Sequence, residues 1–492
     1  MPAPIEPVTA MLTTVPWEAL LILLPLAGGV ACFLLPAWAR GLGTLTAVAT
    51  AVAVAALILG ALGAPLPVHQ VGGWGAPLGI DLGVDGLSLL MLAMTALVAT
   101  GVSLHAGGYF EPAAGLRFWP LWLFLLAALN ALFLSRDLFN LYVTLELMGL
   151  AAVALTALPG SRDALTAAMR YLLTSLLGSL AFLMGVALLY HAHATLDITL
   201  LGARVESSPV AWAAFGLMGA GLVLKTALFP LHFWLPPAHA SAPAPVSAVL
   251  SALVVKASFY ILLRLWLEVF PAITAGPAEL LGGLGAAAVL WGSIQALRQT
   301  RVKLLVAYST VAQLGYLFMA LPLAAAAGPV AWNAWAFLAF SHGLAKAAMF
   351  LAAGNMMRFG GHDRVADLDR VVQRLPLTAA AFAVAGASIM GLPPSGGFNG
   401  KWLLLEAAIG QGRWGLVAVI IAGGILAAAY IFKVLGHAFT RAPASHAAQA
   451  VPRHMEWAAM LLACGALLTG LLASPFLALA GIADPFGTGM AP

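Results

Sequence analysis

Charge is what this sequence has least of. Only 8% of its 492 residues are charged, against 62% hydrophobic, where a soluble globular chain carries roughly 25% charged residues. That supply cannot cover a water-facing surface, which excludes a soluble domain. Cysteine is nearly missing too. Cys32 and Cys464 stand alone in apolar stretches, while a metal–thiolate site or an iron–sulfur cluster needs clustered ligands. No GxGxxG or GxxxxGK[ST] loop offers to cradle a phosphate. The chain is therefore expected to hold no metal, cofactor or nucleotide, and no redox centre of its own. No basic residue precedes Arg40, so the opening reads as a first membrane helix and not as a cleaved leader.

What the sequence does have is long apolar runs. About 30 Å of hydrocarbon takes roughly 20 helical residues to cross. Runs of that kind lie near 18–37, 42–63, 84–106, 117–134, 138–158, 163–190, 210–236, 243–270, 278–297, 302–321, 329–357, 375–408, 413–437 and 455–479. They are too long and too continuously apolar for barrel strands, whose faces alternate. The expected fold is an all-α polytopic membrane protein of about fourteen transmembrane helices. With both termini outside, fourteen Lys and Arg, Lys303 among them, fall at cytoplasmic ends. Only Arg136, Arg204, Arg264 and Arg413 fall at outer ends. This is the positive-inside asymmetry of a cytoplasmic membrane protein, with Arg264 read as snorkelling outward.

Of the 22 Lys and Arg, that leaves Lys225, Lys256, Lys346 and Lys401, every one a lysine inside an apolar run. The choice of residue is informative. Arginine stays charged, whereas lysine is the cation whose proton burial can make exchangeable near neutrality. Two runs are also interrupted by proline, at "LKTALFPLHFWLPP" and "IMGLPPSGGFNGKWLLLE", with Lys225 and Lys401 close to the breaks. Broken membrane helices occur where protein or water re-satisfies the freed backbone, and a matched pair points to an internal repeat with an ion site in each half. The expected division is helices 1–3 with an outer hairpin loop in 1–116, five-helix units at 117–270 and 278–437, and a fourteenth helix in 438–492. The hairpin is read from "GGWGAPLGIDLGVDG" at 72–86.

Glu146 lies nine residues past Asp137, about 13 Å deeper along a helix. An unpaired carboxylate there costs about 2.5–3.5 kcal/mol on insertion scales. Its natural partner is a cation on another helix, and Lys225 is the candidate. Separating the two would release the lysine's proton. The plainer alternative is a static pair that pins two helices. Lys225, His232 and His239 follow at seven-residue intervals, close to two turns each, and the histidines suit relaying protons through water. They could instead be core histidines satisfied by carbonyls. His342 and Lys346, four apart, share a helix face, and Lys401 has Glu406 five residues on. The order Glu146, Lys225, Lys256, Lys346 with His342, and Lys401 sketches a polar line through the middle of the bilayer. Ser179, Ser251, Ser309, Thr310, Tyr308, Ser341 and Asn399 could hold linking waters, although hydroxyls also satisfy their own helix. The mixed-charge loop 358–376 reads as a cytoplasmic face that touches a partner.

"DLFNLYVTLELMGL", "LKTALFPLHFWLPPAHASAPAPVSAVLSALVVKASFY", "SHGLAKAAMF" and "GLPPSGGFNGKW" resemble the antiporter-like membrane subunits shared by complex I, membrane-bound hydrogenases and Mrp-type cation/proton antiporters. The resemblance covers nearly the whole chain. It implies two inverted five-helix repeats with broken helices 7 and 12. It also implies Glu146 and Lys225 as a gating pair, Lys256 as the central relay and Lys401 as the exit-side lysine, with no cofactor. "RDLFNLYVTLELMGL" and "GGWGAPLGIDLGVDGLSLL" look most like the D-type subunits of Mrp antiporters, whereas "FPLHFWLPPAHASAPAPVSA" is closer to the complex I and hydrogenase subunits. Lys401 departs from the M-type complex I subunit, which carries a glutamate there, and the chain stops before the long lateral helix of the L type. The implied function is proton translocation within a larger membrane complex, beside homologous antiporter-like subunits, with H+ and in some settings Na+ as cargo. An ion-driving subunit of an inorganic-carbon uptake complex and a non-transporting scaffold are the alternatives.

Overall fold

The computed structural model describes residues 15–63, 68–442 and 449–486; the two termini expected outside lie beyond them. Among the described residues, thirteen helices are long and apolar enough to cross a membrane. They are α1 (Trp17–Leu34), α2 (Ala39–Gly63), α3 (Gly86–Tyr109), α4 (Pro112–Leu134), α5 (Leu138–Ala157), α6 (Arg162–His193), α7a (Pro209–Thr226), α8 (Ala244–Val269), α9 (Ala275–Arg298), α10 (Val302–Met319), α11 (Gly328–Gly360), α13 (Trp414–Phe439) and α14 (Arg453–Leu471). The run expected at 375–408 is split into two 15-residue halves, α12a (Pro376–Met390) and α12b (Gly396–Gly410). Neither half alone has the length for a full crossing. Together they complete the set of fourteen.

Short polar residues set where these helices begin. Asp85, Asp137, Ser161, Ser208 and Ser395 each accept a backbone N–H two or three positions into α3, α5, α6, α7a and α12b, satisfying donors that the first turn leaves orphaned. At Asp85 the bond is reciprocal: the Ser88 hydroxyl receives the Asp85 N–H, a capping box. The hairpin is present but begins earlier than 72–86: β1 (His69–Gln70) pairs antiparallel with β2 (Asp81–Leu82).

Both proline breaks are real. α7a ends at Thr226, Ala227 turns left-handed at φ 59°, and after a turn the chain resumes as α7b (Leu235–Ser241). α12a stops where Gly391 adopts φ 85°, a position that favours glycine because it lacks a Cβ. A third irregularity carries no proline to announce it. α8 contains two π-helical segments, Leu250–Val254 and Leu265–Val269, wide turns that shift the hydrogen-bond register and free carbonyls.

α8 is buried throughout, and α10 and α11 nearly so, whereas α1, α9 and α13 turn most of their surface outward. The titratable residues are thus concentrated on the innermost helices. At the rim, Arg413 makes a two-pronged pair with Glu279 at 2.6 and 2.8 Å, but both side chains stand in the open. Exposed pairs contribute about 0–1 kcal/mol, so Glu279→Gln should leave the melting temperature of the detergent-solubilised protein unchanged within error.

Candidate functional site: a buried row of lysine amines

Small residues open the space for the first lysine. Gly178 of α6 and Gly221 of α7a face each other so closely that a Cβ built on Gly221 would lie 2.2 Å from the Gly178 carbonyl oxygen. Helices brought together this way let the Lys225 side chain lie along the seam. Its Nζ reaches Glu146 Oε1 on α5 at 3.4 Å and also donates to the Ser179 hydroxyl and, at 3.3 Å, to the Ser175 carbonyl. The expected pair therefore exists, but at 3.4 Å it is loose, and the serine bonds hold the amine as firmly as the carboxylate does. A small cavity beside the amine is lined by Ser175, Lys225, Trp234, Val254 and Ser258, two of them residues of α8 that flank Lys256. Trp234 staples the break shut by donating to the Leu224 carbonyl at 3.0 Å while stacking on Tyr171. Gly221→Ala should push α6 and α7a apart, because the obstruction is backbone that cannot rotate away. Overpacking of this kind costs about 1–3 kcal/mol, to be read as a lowered melting temperature in detergent.

Lys256 is fully buried, and its amine donates to the Ser251 carbonyl at 2.9 Å, a group inside the first π segment. The Ser251 hydroxyl pairs with that of Thr310 on α10 at 2.8 Å. Lys346 on α11 donates to the Ser309 hydroxyl and, at 3.1 Å, to the Val306 carbonyl, both on α10. Lys401 donates to the carbonyls of Ile389 and Met390 at 2.7 and 3.3 Å and sits over the Tyr316 ring. Those carbonyls are the orphans left by the break in α12, so the interruption builds the lysine's socket. Lys256 and Lys401 both lie close enough for their charges to act on Lys346, and all three act on His342. Among the described residues, none of these three lysines has a carboxylate partner.

The histidines divide. His239 and His342 are buried, with both ring nitrogens of each lacking a protein partner; His239 stacks on Phe350. His232 is half-buried in the turn between α7a and α7b, near the Tyr308 ring, so the break dissolves the single stripe that its spacing suggested. Glu406 is exposed, because five residues carry it about 140° around the helix from Lys401.

Two basic residues contradict the expectation from sequence. Lys303, assigned to a cytoplasmic end, is buried at the start of α10 and donates to the Ala242 carbonyl between α7b and α8. It is the second residue of its apolar run, where a boundary is good only to a few residues. Arg264 does not snorkel. It is buried and bonded to Asp85 and Glu268, since Asp85 lies next to it in space though far off in sequence. Although burial favours the neutral form of Asp85, the guanidinium groups of Arg264 and Arg136 hold its carboxyl well below the usual range.

Comparison with known proteins agrees with this fold. Residues 135–427 match the family described as NADH:quinone oxidoreductase/Mrp antiporter, TM. The N-type subunit of the NADH-quinone oxidoreductase of Desulforudis audaxviator is 37% identical over 78% of this chain and 78% of that one. The D-type subunit of the Na(+)/H(+) antiporter of Alkalihalophilus pseudofirmus is 30% identical over 76% of each. Among solved structures, a chain of the membrane-bound sulfane sulfur reductase, an archaeal respiratory membrane complex, superposes with a TM-score of 0.87 at 26% identity, covering 94% of this chain and 96% of that one. A matched span of well over half the chain, carried on this fold, means that the chain belongs to the NADH:quinone oxidoreductase/Mrp antiporter membrane family.

Proposed function

We propose that the chain is a proton-translocating subunit of a multisubunit membrane complex of the Mrp antiporter or complex I and hydrogenase-like kind. Its place is the cytoplasmic membrane of a bacterium or archaeon, with both termini outside. Its partners are other membrane subunits, homologous antiporter-like ones among them, and its cargo is H+, with Na+ in an antiporter setting. The carrying observation is that Lys256, Lys346 and Lys401 are buried without a carboxylate beside any of them. A scaffold could use Glu146 and Lys225 to pin two helices, but it has no use for three further buried amines, each costing about 2.5–3.5 kcal/mol or more. Amines that gain and lose a proton in turn avoid carrying that charge permanently.

The residues then take successive roles. Glu146 holds Lys225 in its protonated form; when the loose 3.4 Å contact opens, the Ser175 and Ser179 acceptors keep the amine in place while its proton passes through the adjoining cavity toward Lys256. From Lys256 the Ser251–Thr310 hydroxyl pair and His342 lead to Lys346, and thence to Lys401. His232, in the turn of the α7 break, and His239, stacked on Phe350 of α11, serve as further relays. Repeats at 117–270 and 278–437 would each supply one broken helix, α7 and α12, to this row. Energy must come from a neighbouring subunit or an ion gradient. The test is proton flux in vesicles carrying the native complex: if the Lys225→Ala and Glu146→Gln variants assemble and pump like the parent, the scaffold reading stands instead.

A further inference from the structure

The proton row does not account for the end of α8. Lys256, Tyr260, Arg264 and Glu268 recur every four residues, a single stripe on a buried helix. The Tyr260 hydroxyl donates to the Phe133 carbonyl at 2.7 Å and accepts from Arg264 Nε at 3.0 Å. Arg264 bonds Asp85 at 2.7 Å and Glu268 at 2.5 Å, and Arg136 bonds the same two carboxylates at 2.8 and 2.9 Å. This quartet of two cations and two anions ties together α3, α8 and the α4–α5 connection.

The quartet lines a cavity of about 200 Å³ together with Trp332, Ala483 and Pro485. A cavity this large, with four charged side chains in its wall, has room for several waters. Exposure falls across it, from 26% for Glu268 and 19% for Arg136 to 7% for Asp85 and 3% for Arg264, so the wall dries in the direction of Lys256. An apolar gap lined by Leu87, Met91, Met94, Leu263 and Phe340 also has Lys256 and Tyr260 in its wall, and Leu87 borders both spaces.

We propose that this is a second, gated water port, by which Lys256 can release its proton on the hairpin face without passing it to Lys346 and Lys401. The inference rests on the proton-translocation reading above. The Arg–carboxylate quartet is the latch and the apolar gap is the gate, dry while the latch is closed. Opening the Asp85–Arg264 contact frees α3 to move Leu87 off the gap, and water then joins the cavity to the amine. The quartet is neutral as a whole and carries no proton itself; Asp85 and Arg264 are positioning residues.

Two measurements on the native complex in membranes decide it. Leu87→Trp fills the gap, and in a Lys346→Met background, where the port is the route left, the remaining proton flux should fall by about tenfold or more, as expected when a hydrophobic constriction can no longer wet. Leu87→Cys reports wetting through its reaction with a charged, membrane-impermeant thiol reagent applied from the hairpin face, with the parent, holding Cys32 and Cys464, as background. Adding Asp85→Asn should accelerate that labelling, whereas a quartet that merely pins helices would leave it unchanged. An assembled Lys346→Met/Leu87→Trp complex that keeps the flux of Lys346→Met overturns the port, as does a Leu87→Cys/Asp85→Asn chain that labels no faster than Leu87→Cys. The translocation reading fails separately, if flux survives Lys225→Ala.

Discussion

Lys225→Ala is expected to lower proton flux by about a hundredfold or more while leaving the complex assembled. Removing a positioned proton-transfer group costs about 10²–10⁴-fold. Assembly should survive because the lysine's bonding partners keep other company: Glu146 is the more exposed member of the pair, at 19%, and the Ser179 and Ser175 groups border a small cavity or their own helix. Glu146→Gln keeps the shape and removes the charge. It should give the same loss of flux, so equal defects in the two variants and in the double variant would mark the pair as one unit. The check is a pH-gradient assay on vesicles, with copurification of companion subunits as the control. Loss of the companions along with the flux would make the pair structural.

The second large effect separates stability from function. Lys346→Met should abolish the flux that leaves through Lys401, so that only what the hairpin-face port carries remains, yet leave the protein as stable as the parent or more so. The amine is fully buried with no carboxylate beside it, and a buried lysine costs about 2.5–3.5 kcal/mol on insertion scales. Methionine fills the same volume without that cost. Nor does the change strand a polar group, since the Ser309 hydroxyl already donates to the Val306 carbonyl at 2.9 Å. Thermal unfolding in detergent, measured beside flux, should therefore move in the opposite direction to activity. A lower melting temperature would show that Lys346 serves the fold, and would remove the middle of the proposed route.

Much of this was legible in the chain because the bilayer is an unforgiving solvent. Lys225, Lys256, Lys346 and Lys401 stood out as cations within apolar runs, and the structure buries all four. The prolines of "FPLHFWLPP" and "GLPPSGG" announced breaks because the carbonyl that a missing N–H leaves unpaired cannot be hidden in hydrocarbon. Arg264 and Lys303 were misplaced for one shared reason: each lies near the end of an apolar run, where hydropathy cannot separate a side chain reaching for water from one reaching for Asp85 or for the Ala242 carbonyl.

Span number, the breaks and four of the five buried lysines were determined by sequence alone, since helix length and the cost of charge in lipid are local properties of each run. Tertiary structure alone decided which acceptor each amine finds, how closely α6 meets α7a at Gly178 and Gly221, and where α8 widens into its π segments. Those depend on contacts between residues tens to hundreds of positions apart, and no window along the chain contains both partners.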